Sequence, residues 1–214
     1  MQNMEVKNST TALSGSSYLS AVTEMTQYME MRRCIDRIFE RADSPKVLAV
    51  GSLATGEGKS TFCLAAALSL AERYGRKVLL IDTTNFSRAN SMSLDEICGV
   101  DADQAFVIQK ITLGPQSISY VWIPPSIKGS QPLKAQIENL AKGFDNVIID
   151  TVALSVRSRL ENDPFEMASL ADSMILLRSE AQIEGDQDSS WLEELKLSGA
   201  KILGIVSNKF GGVK

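Results

Sequence analysis

The sequence predicts an α/β fold of the doubly wound kind: a mostly parallel sheet with helices on both faces. Three observations predict it. Short apolar runs of strand length recur along the 214 residues, helical patterns separate them, and several runs end in Gly, Asp or Asn. Continuous apolar runs are what strands covered on both faces require, where one-sided strands would alternate. Right-handed crossovers then gather the C-terminal strand ends along one edge, where ligands bind in such sheets.

Residues 1–17 are rich in Ser, Thr, Asn and Gly and read as a flexible arm. Residues 18–44 hold one N-terminal helix. Over 18–41, Tyr28, Met31, Ile35, Ile38 and Phe39 fall near one face, and Ser44-Pro45 breaks the pattern. Residues 45–214 form the main domain. It opens with a buried strand over 46–52, a helix over 59–74 stopped by Gly75, and a second buried strand over 77–82. Residues 83–117 are less periodic, with short helical pieces expected over 94–98 and 102–108. Residues 118–123 alternate like a strand and halt at Pro124-Pro125. The remainder reads as helix 133–141, strand 146–150, helix 164–171, strand 173–178, helix 189–197 and strand 201–207.

Composition removes several kinds of chemistry. The chain has no histidine, so histidine triads, histidine-ligated zinc and histidine acid–base catalysis are excluded. Its three cysteines, Cys34, Cys63 and Cys98, lack metal-type spacing and read as small buried hydrophobes. A net charge of −4 offers no general basic field, so no nucleic-acid partner is expected. No signal-peptide pattern and no membrane-length apolar stretch occurs, and a cytoplasmic location is expected.

The loop after the first strand, Gly51-Ser-Leu-Ala-Thr-Gly-Glu-Gly-Lys-Ser-Thr61, carries the strongest signal. Gly56, Glu57 and Gly58 would wrap a phosphate chain with their backbone N–H groups, and the next helix adds its positive end. Lys59 would reach the β/γ phosphates. The Ser60 hydroxyl would ligate Mg²⁺, with Thr61 beside it. This pattern reads as the phosphate loop of a P-loop NTPase, although Leu53 stands where the standard pattern has glycine; a Gly-rich turn with a surface Lys is the alternative. Asp82 closes the second strand and Asp150 the run Asn-Val-Ile-Ile-Asp, a Walker B pattern. Either acid could support Mg²⁺, and Asp82 could also orient or deprotonate a nucleophile. An ordinary turn or cap aspartate is the alternative for Asp82. Asn208, after the last strand, could read an adenine edge or simply form a turn. Arg88 and Arg178 lie near strand ends and read as solvated cations. Trp122 and Trp191 read as packing residues. Together these residues call for ATP and Mg²⁺ as cofactors. Lys59, Asp82 and Asp150 are the candidate catalytic groups, and Ser60, Asp82 and Asp150 the candidate metal ligands.

The segments Leu53–Thr61, Val78–Asp82, 144–151, 171–178 and 199–208 resemble, in order and spacing, the cytoplasmic ATPase domain of bacterial tyrosine kinases (BY-kinases), relatives of the MinD/ParA ATPases. The resemblance spans about residues 28–208. It implies Lys59, Ser60 and Thr61 as Walker A residues, Asp82 as the first acid of Walker A′ and Asp150 as the Walker B acid. It also implies a role in exopolysaccharide or capsule biosynthesis and export. A membrane chain-length regulator would be the partner, with homo-oligomers and a peripheral place at the inner membrane. Activity would be that of an ATPase or a tyrosine kinase-like phosphotransferase.

Four departures stand beside the resemblance. Thr84 occupies the place of the second Walker A′ acid, and Val152-Ala153 that of the family's Pro-Pro. In the helix motif Glu-x-x-Arg-x-x-Arg, Glu30 and Arg33 fit but Asp36 takes the last place. The family's C-terminal tyrosine cluster has no counterpart, since the tyrosines are Tyr18, Tyr28, Tyr74 and Tyr120. Two alternatives follow: a nucleotide-gated adaptor without turnover, or a MinD/ParA-like positioning ATPase. The signature lysine of the second would fall at Ala54.

Overall fold

The computed structural model describes residues 15–85, 105–113, 116–125, 133–179 and 187–208. The elements are α1 (Gly15–Met25), α2 (Met29–Phe39), β1 (Val47–Ser52), α3 (Lys59–Tyr74), β2 (Val78–Asp82), β3 (Gln109–Leu113) and β4 (Gln116–Trp122). They continue as α4 (Leu133–Ala141), β5 (Asn146–Asp150), α5 (Pro164–Leu170), β6 (Ser173–Ser179), α6 (Gln187–Leu197) and β7 (Ile202–Asn208). The strands form one seven-stranded sheet in the order β3-β4-β2-β5-β1-β6-β7. All neighbours are parallel except the β3–β4 pair at one edge. This is the doubly wound α/β fold that the apolar runs predict.

Strand alternation divides the core between the two faces. Leu48, Val50, Val78, Leu80, Ile118, Tyr120 and Ile148 point to the face covered by α3, with α1 and α2 stacked beyond it. Leu79, Ile81, Val147 and Ile149 point the other way, to Ile137 and Ala141 of α4. Ala49 and Met174 join α5 and α6 on that same far face. Fully burying each such Leu, Ile or Val stabilises the fold by about 1.5–3 kcal/mol. The central helix α3 is buried from Phe62 through Ala71 without interruption, because the sheet covers one side and α1 and α2 the other. Gly75, at φ 62°, then ends it in the left-handed conformation that glycine adopts without strain.

The structure departs from the expected elements in three places. The single helix expected over 18–41 is two helices. Thr26 Oγ1 donates to the Thr23 carbonyl at 2.7 Å, and Tyr28 is extended, so the chain turns between α1 and α2. Residues 105–108 of the helix expected over 102–108 are not helical: Phe106 has φ 60°, and its N–H donates to the Trp122 carbonyl. Strand β3 was not expected; it is a short, partly polar edge strand closing an antiparallel hairpin with β4. The helix expected over 94–98 lies outside the described residues, as do Arg88 and Cys98. Among the described residues no helix is long and apolar enough to cross a membrane.

Candidate functional site

The parallel strands bring the singled-out residues to one edge. Asp82 and Asp150 are paired in register on adjacent strands, and Val50 pairs with Asp150 from the other side. Neighbouring strands lie about 4.8 Å apart, so the two acids are direct neighbours. Period-two alternation carries the faces of Leu80 and Ile148 to Asp82 and Asp150. Both carboxylates therefore point to the side where α3 begins.

The loop between β1 and α3 is built by its glycines. Gly56 and Gly58 have φ 80° and 88°, the left-handed region that other residues enter at a cost. A Cβ on Gly58 would also lie 2.7 Å from Asn208 Nδ2. Leu53, in contrast, has an ordinary φ and packs against the cluster of Leu154, Phe165 and Met174. The missing glycine is thus accommodated by a loop that does not need left-handed backbone there. Glu57 is turned inward. Its carboxylate accepts from Ala54 N–H at 2.9 Å and from Ser179 N–H at 3.1 Å, and Asn208 Nδ2 donates to its carbonyl at 3.0 Å. The side chain thus staples the loop to the end of β6, while the Glu57 carbonyl ties it to Asn208 of β7. Only the Glu57 backbone N–H remains for a phosphate.

Helix α3 starts at Lys59 with no acidic residue in its first turn, and the Phe62 N–H makes the first helical bond to Gly58. The amides of Lys59, Ser60 and Thr61 therefore lack helical partners and sit at the positive end of a 16-residue helix. Lys59 Nζ donates to Ser52 Oγ at 2.8 Å, and Ser52 Oγ donates to the Ala54 carbonyl at 2.6 Å. Burial lowers the Lys59 pKa below the ordinary lysine range, opposed chiefly by Asp150. The Thr61 hydroxyl meets the hydroxyl of Tyr18 from α1.

The two acids are both buried, at 1% exposure for Asp82 and 0% for Asp150. Neither oxygen of Asp150 has a hydrogen bond of good geometry. Burial first, and then the charge of Asp82, push its pKa up to about 7, against the opposing influence of Lys59 and of the nearby Ser60 and Cys63. A buried, bare carboxylate is costly unless a cation completes it. Ser60, Asp150 and Asp82 offer the donor set that Mg²⁺ takes in nucleotide sites, one or two carboxylates and a hydroxyl beside phosphate oxygens. No group of three or more His, Cys, Asp or Glu among the described residues forms an all-protein metal cage.

A cavity of about 710 Å³ adjoins the loop. Gly56, Gly58 and Thr61 form one wall, Met25, Tyr28 and Met31 from the N-terminal helices another, and Val206 and Asn208 of β7 a third. This size and apolar lining suit a small-molecule site.

Sequence reasoning missed the residues that act across strands. Tyr120 donates to Asp82 Oδ2 at 3.1 Å, and Trp122 Nε1 donates to the Thr84 carbonyl at 3.2 Å. Asn162 Nδ2 donates to the carbonyls of Thr83 and Ile123, both at 2.9 Å, and Glu161 accepts from Asn85 N–H at 2.8 Å. The signal available for Tyr120 was the alternation Ile118, Tyr120, Trp122. Trp191 stacks with Phe165, the packing role expected of it.

No protein-family model matches the chain. The tyrosine-protein kinase CpsD of Streptococcus agalactiae is 29% identical over 184 residues, covering 77% of this chain and 75% of that one. Among solved structures, the chimerical protein CapA2B2 superposes with a TM-score of 0.72 at 19% identity, over 92% of this chain and 91% of that one. The kinase domain of the Escherichia coli tyrosine kinase ETK gives 0.65 at 15%, over 100% and 86%. A cobyrinic acid a,c-diamide synthase from Mycobacterium smegmatis, with bound ADP and magnesium, gives 0.57 at 18%, over 76% and 73%. The chain is a homologue of the tyrosine-protein kinase CpsD and shares the fold of the ETK kinase domain and of the synthase.

Proposed function

We propose that the chain binds ATP with Mg²⁺ at the β1, β2 and β5 strand ends and acts as a tyrosine kinase-like ATPase in capsule or exopolysaccharide production, with a membrane chain-length regulator as partner. The observation that carries this reading is the bare Asp150 carboxylate, buried beside Lys59 and the start of α3. The homologous CpsD is a tyrosine-protein kinase by name, and the superposable synthase holds ADP and magnesium. Both support the reading.

The arrangement supports the following roles. Backbone amides of Gly56 through Thr61 bind phosphate oxygens at the helix start. Lys59, which now donates to Ser52, would neutralise phosphate charge. Ser60 and Asp150 would hold the metal, and Asp82 would support it or an incoming hydroxyl. Bound Mg²⁺ supplies neutralisation of the charge that develops on the transferring phosphoryl group. Asn208, beside Gly58 and the cavity, would read the base.

Titration of ATP with Mg²⁺ into the wild type and Lys59→Ala tests the site. Affinity is expected to fall about 10- to 100-fold in the variant, the cost of one charge-assisted contact. Equal, negligible binding by both proteins would refute the nucleotide reading. Mg²⁺-dependent ADP release from the wild type then separates turnover from a nucleotide-gated adaptor.

A further inference from the structure

We propose that Tyr120 is a positioning residue for the metal side of this site: through its hydroxyl it fixes the direction in which the Asp82 carboxylate faces the cation. The inference rests on the nucleotide reading above and deepens it.

Tyr120 is among the largest fully buried side chains, at 0% exposure. A phenylalanine would fill the same apolar space between the sheet and α3, so the hydroxyl is the informative atom. Burying a hydroxyl costs about 1–3 kcal/mol unless it is bonded. Here it donates to Asp82 Oδ2 at 3.1 Å. The other oxygen, Oδ1, accepts from Thr84 N–H at 2.8 Å and from Thr84 Oγ1 at 2.7 Å. Donors therefore engage both oxygens from opposite sides. An aspartate carboxylate otherwise turns broadly about its last torsion; this one cannot turn without breaking a bond.

The register explains how β4 reaches the site. Leu80 pairs with Tyr120 and Asp82 with Trp122, and Ile118, Tyr120 and Trp122 share the face toward α3. Tyr120 thus lies two pairs behind Asp82 on the same face and extends forward to it, while Trp122 secures the Thr84 carbonyl. Mg²⁺ demands near-octahedral directions from its shell, so an acid that meets it directly or through water serves only if held at a fixed angle.

The test compares full-length wild type, Tyr120→Phe and Lys59→Ala, titrated with a fluorescent ATP analogue with and without Mg²⁺. Binding is read rather than turnover. In Tyr120→Phe the Mg²⁺-free affinity is expected to stay within about twofold, and the Mg²⁺-induced tightening to shrink about 10-fold, as for loss of a partner behind a metal ligand. Raising Mg²⁺ should recover the tighter binding. A folded Tyr120→Phe with wild-type tightening overturns the proposal. So does an equal loss of affinity with and without Mg²⁺, which marks a packing role. If Tyr120→Phe does not fold, Thr84→Ala removes another donor to Asp82 and is held to the same outcomes. Negligible binding by wild type and Lys59→Ala alike refutes the nucleotide reading, and the positioning role with it; binding by the wild type alone leaves Tyr120→Phe to decide.

Discussion

Asp82 and Asp150 stand side by side at the ends of neighbouring strands, face the same helix and are equally buried. Their surroundings are nonetheless opposite. Asp82 accepts from Thr84 twice and from Tyr120, whereas Asp150 has no well-formed hydrogen bond to either oxygen. A carboxylate held by donors is stable as an anion in the absence of a ligand. A bare one is destabilising until a cation reaches it. The end of β2 is therefore held by protein donors, and the end of β5 is, on the function proposed above, the half-site that a metal would complete.

The largest effects should come from removing each charge in turn. Asp150→Asn relieves an anion that burial and Asp82 disfavour more than Lys59 favours it, so without ATP and metal it should melt above wild type, by about 1–3 kcal/mol at pH 8. The pH dependence has a definite sign. The folded carboxyl titrates at about 7 and the unfolded one at about 4, so the folded chain binds the extra proton between them. The stability gap should open as pH rises from about 4 to about 7 and stay constant above that. Calorimetry across that range checks it; a variant less stable than wild type at pH 8 would break the contrast. Asp82→Asn should do the reverse. It sets an amide against donors from Thr84 and Tyr120 and should cost about 1–3 kcal/mol in the same measurement.

Two smaller changes sharpen the same division between finished scaffold and open site. Glu57→Ala removes the acceptor for Ala54 and Ser179 N–H, which should loosen the loop and cost about 1–2 kcal/mol of stability or ATP affinity. Leu53→Gly restores the standard spacing yet should lower stability by about 1 kcal/mol and leave ATP affinity unchanged. Leu53 is packed, and glycine adds unfolded-state entropy without relieving any strained backbone. Chemical denaturation beside ATP titration reads both.

These comparisons also show where the sequence is legible. The loop, Asp82 and Asp150 could be read because each signal is local: a strand, then the chemical residue at its tip. The face each acid points to follows from alternation once the strands are placed. Tyr120 and Ser52 were missed because their partners lie 38 and seven residues away, across a strand pair or a loop turn. The sequence expects the Glu57 backbone N–H at a phosphate but says nothing of its side chain, which the turn at Gly56 and Gly58 points inward. The break between α1 and α2 was hidden because the apolar spacing runs through it, while the turn depends on Thr26 bonding back to Thr23.

The most direct test of the division between the two acids is the effect of Mg²⁺ on ATP affinity, measured by calorimetry for wild type and Asp150→Asn. Mg²⁺ should tighten binding at least about 10-fold in the wild type. In Asp150→Asn that tightening should vanish while Mg²⁺-free binding persists. A wild type indifferent to Mg²⁺, or an Asp150→Asn chain that keeps the full tightening, would contradict the assignment of Asp150 as the open half of the metal site.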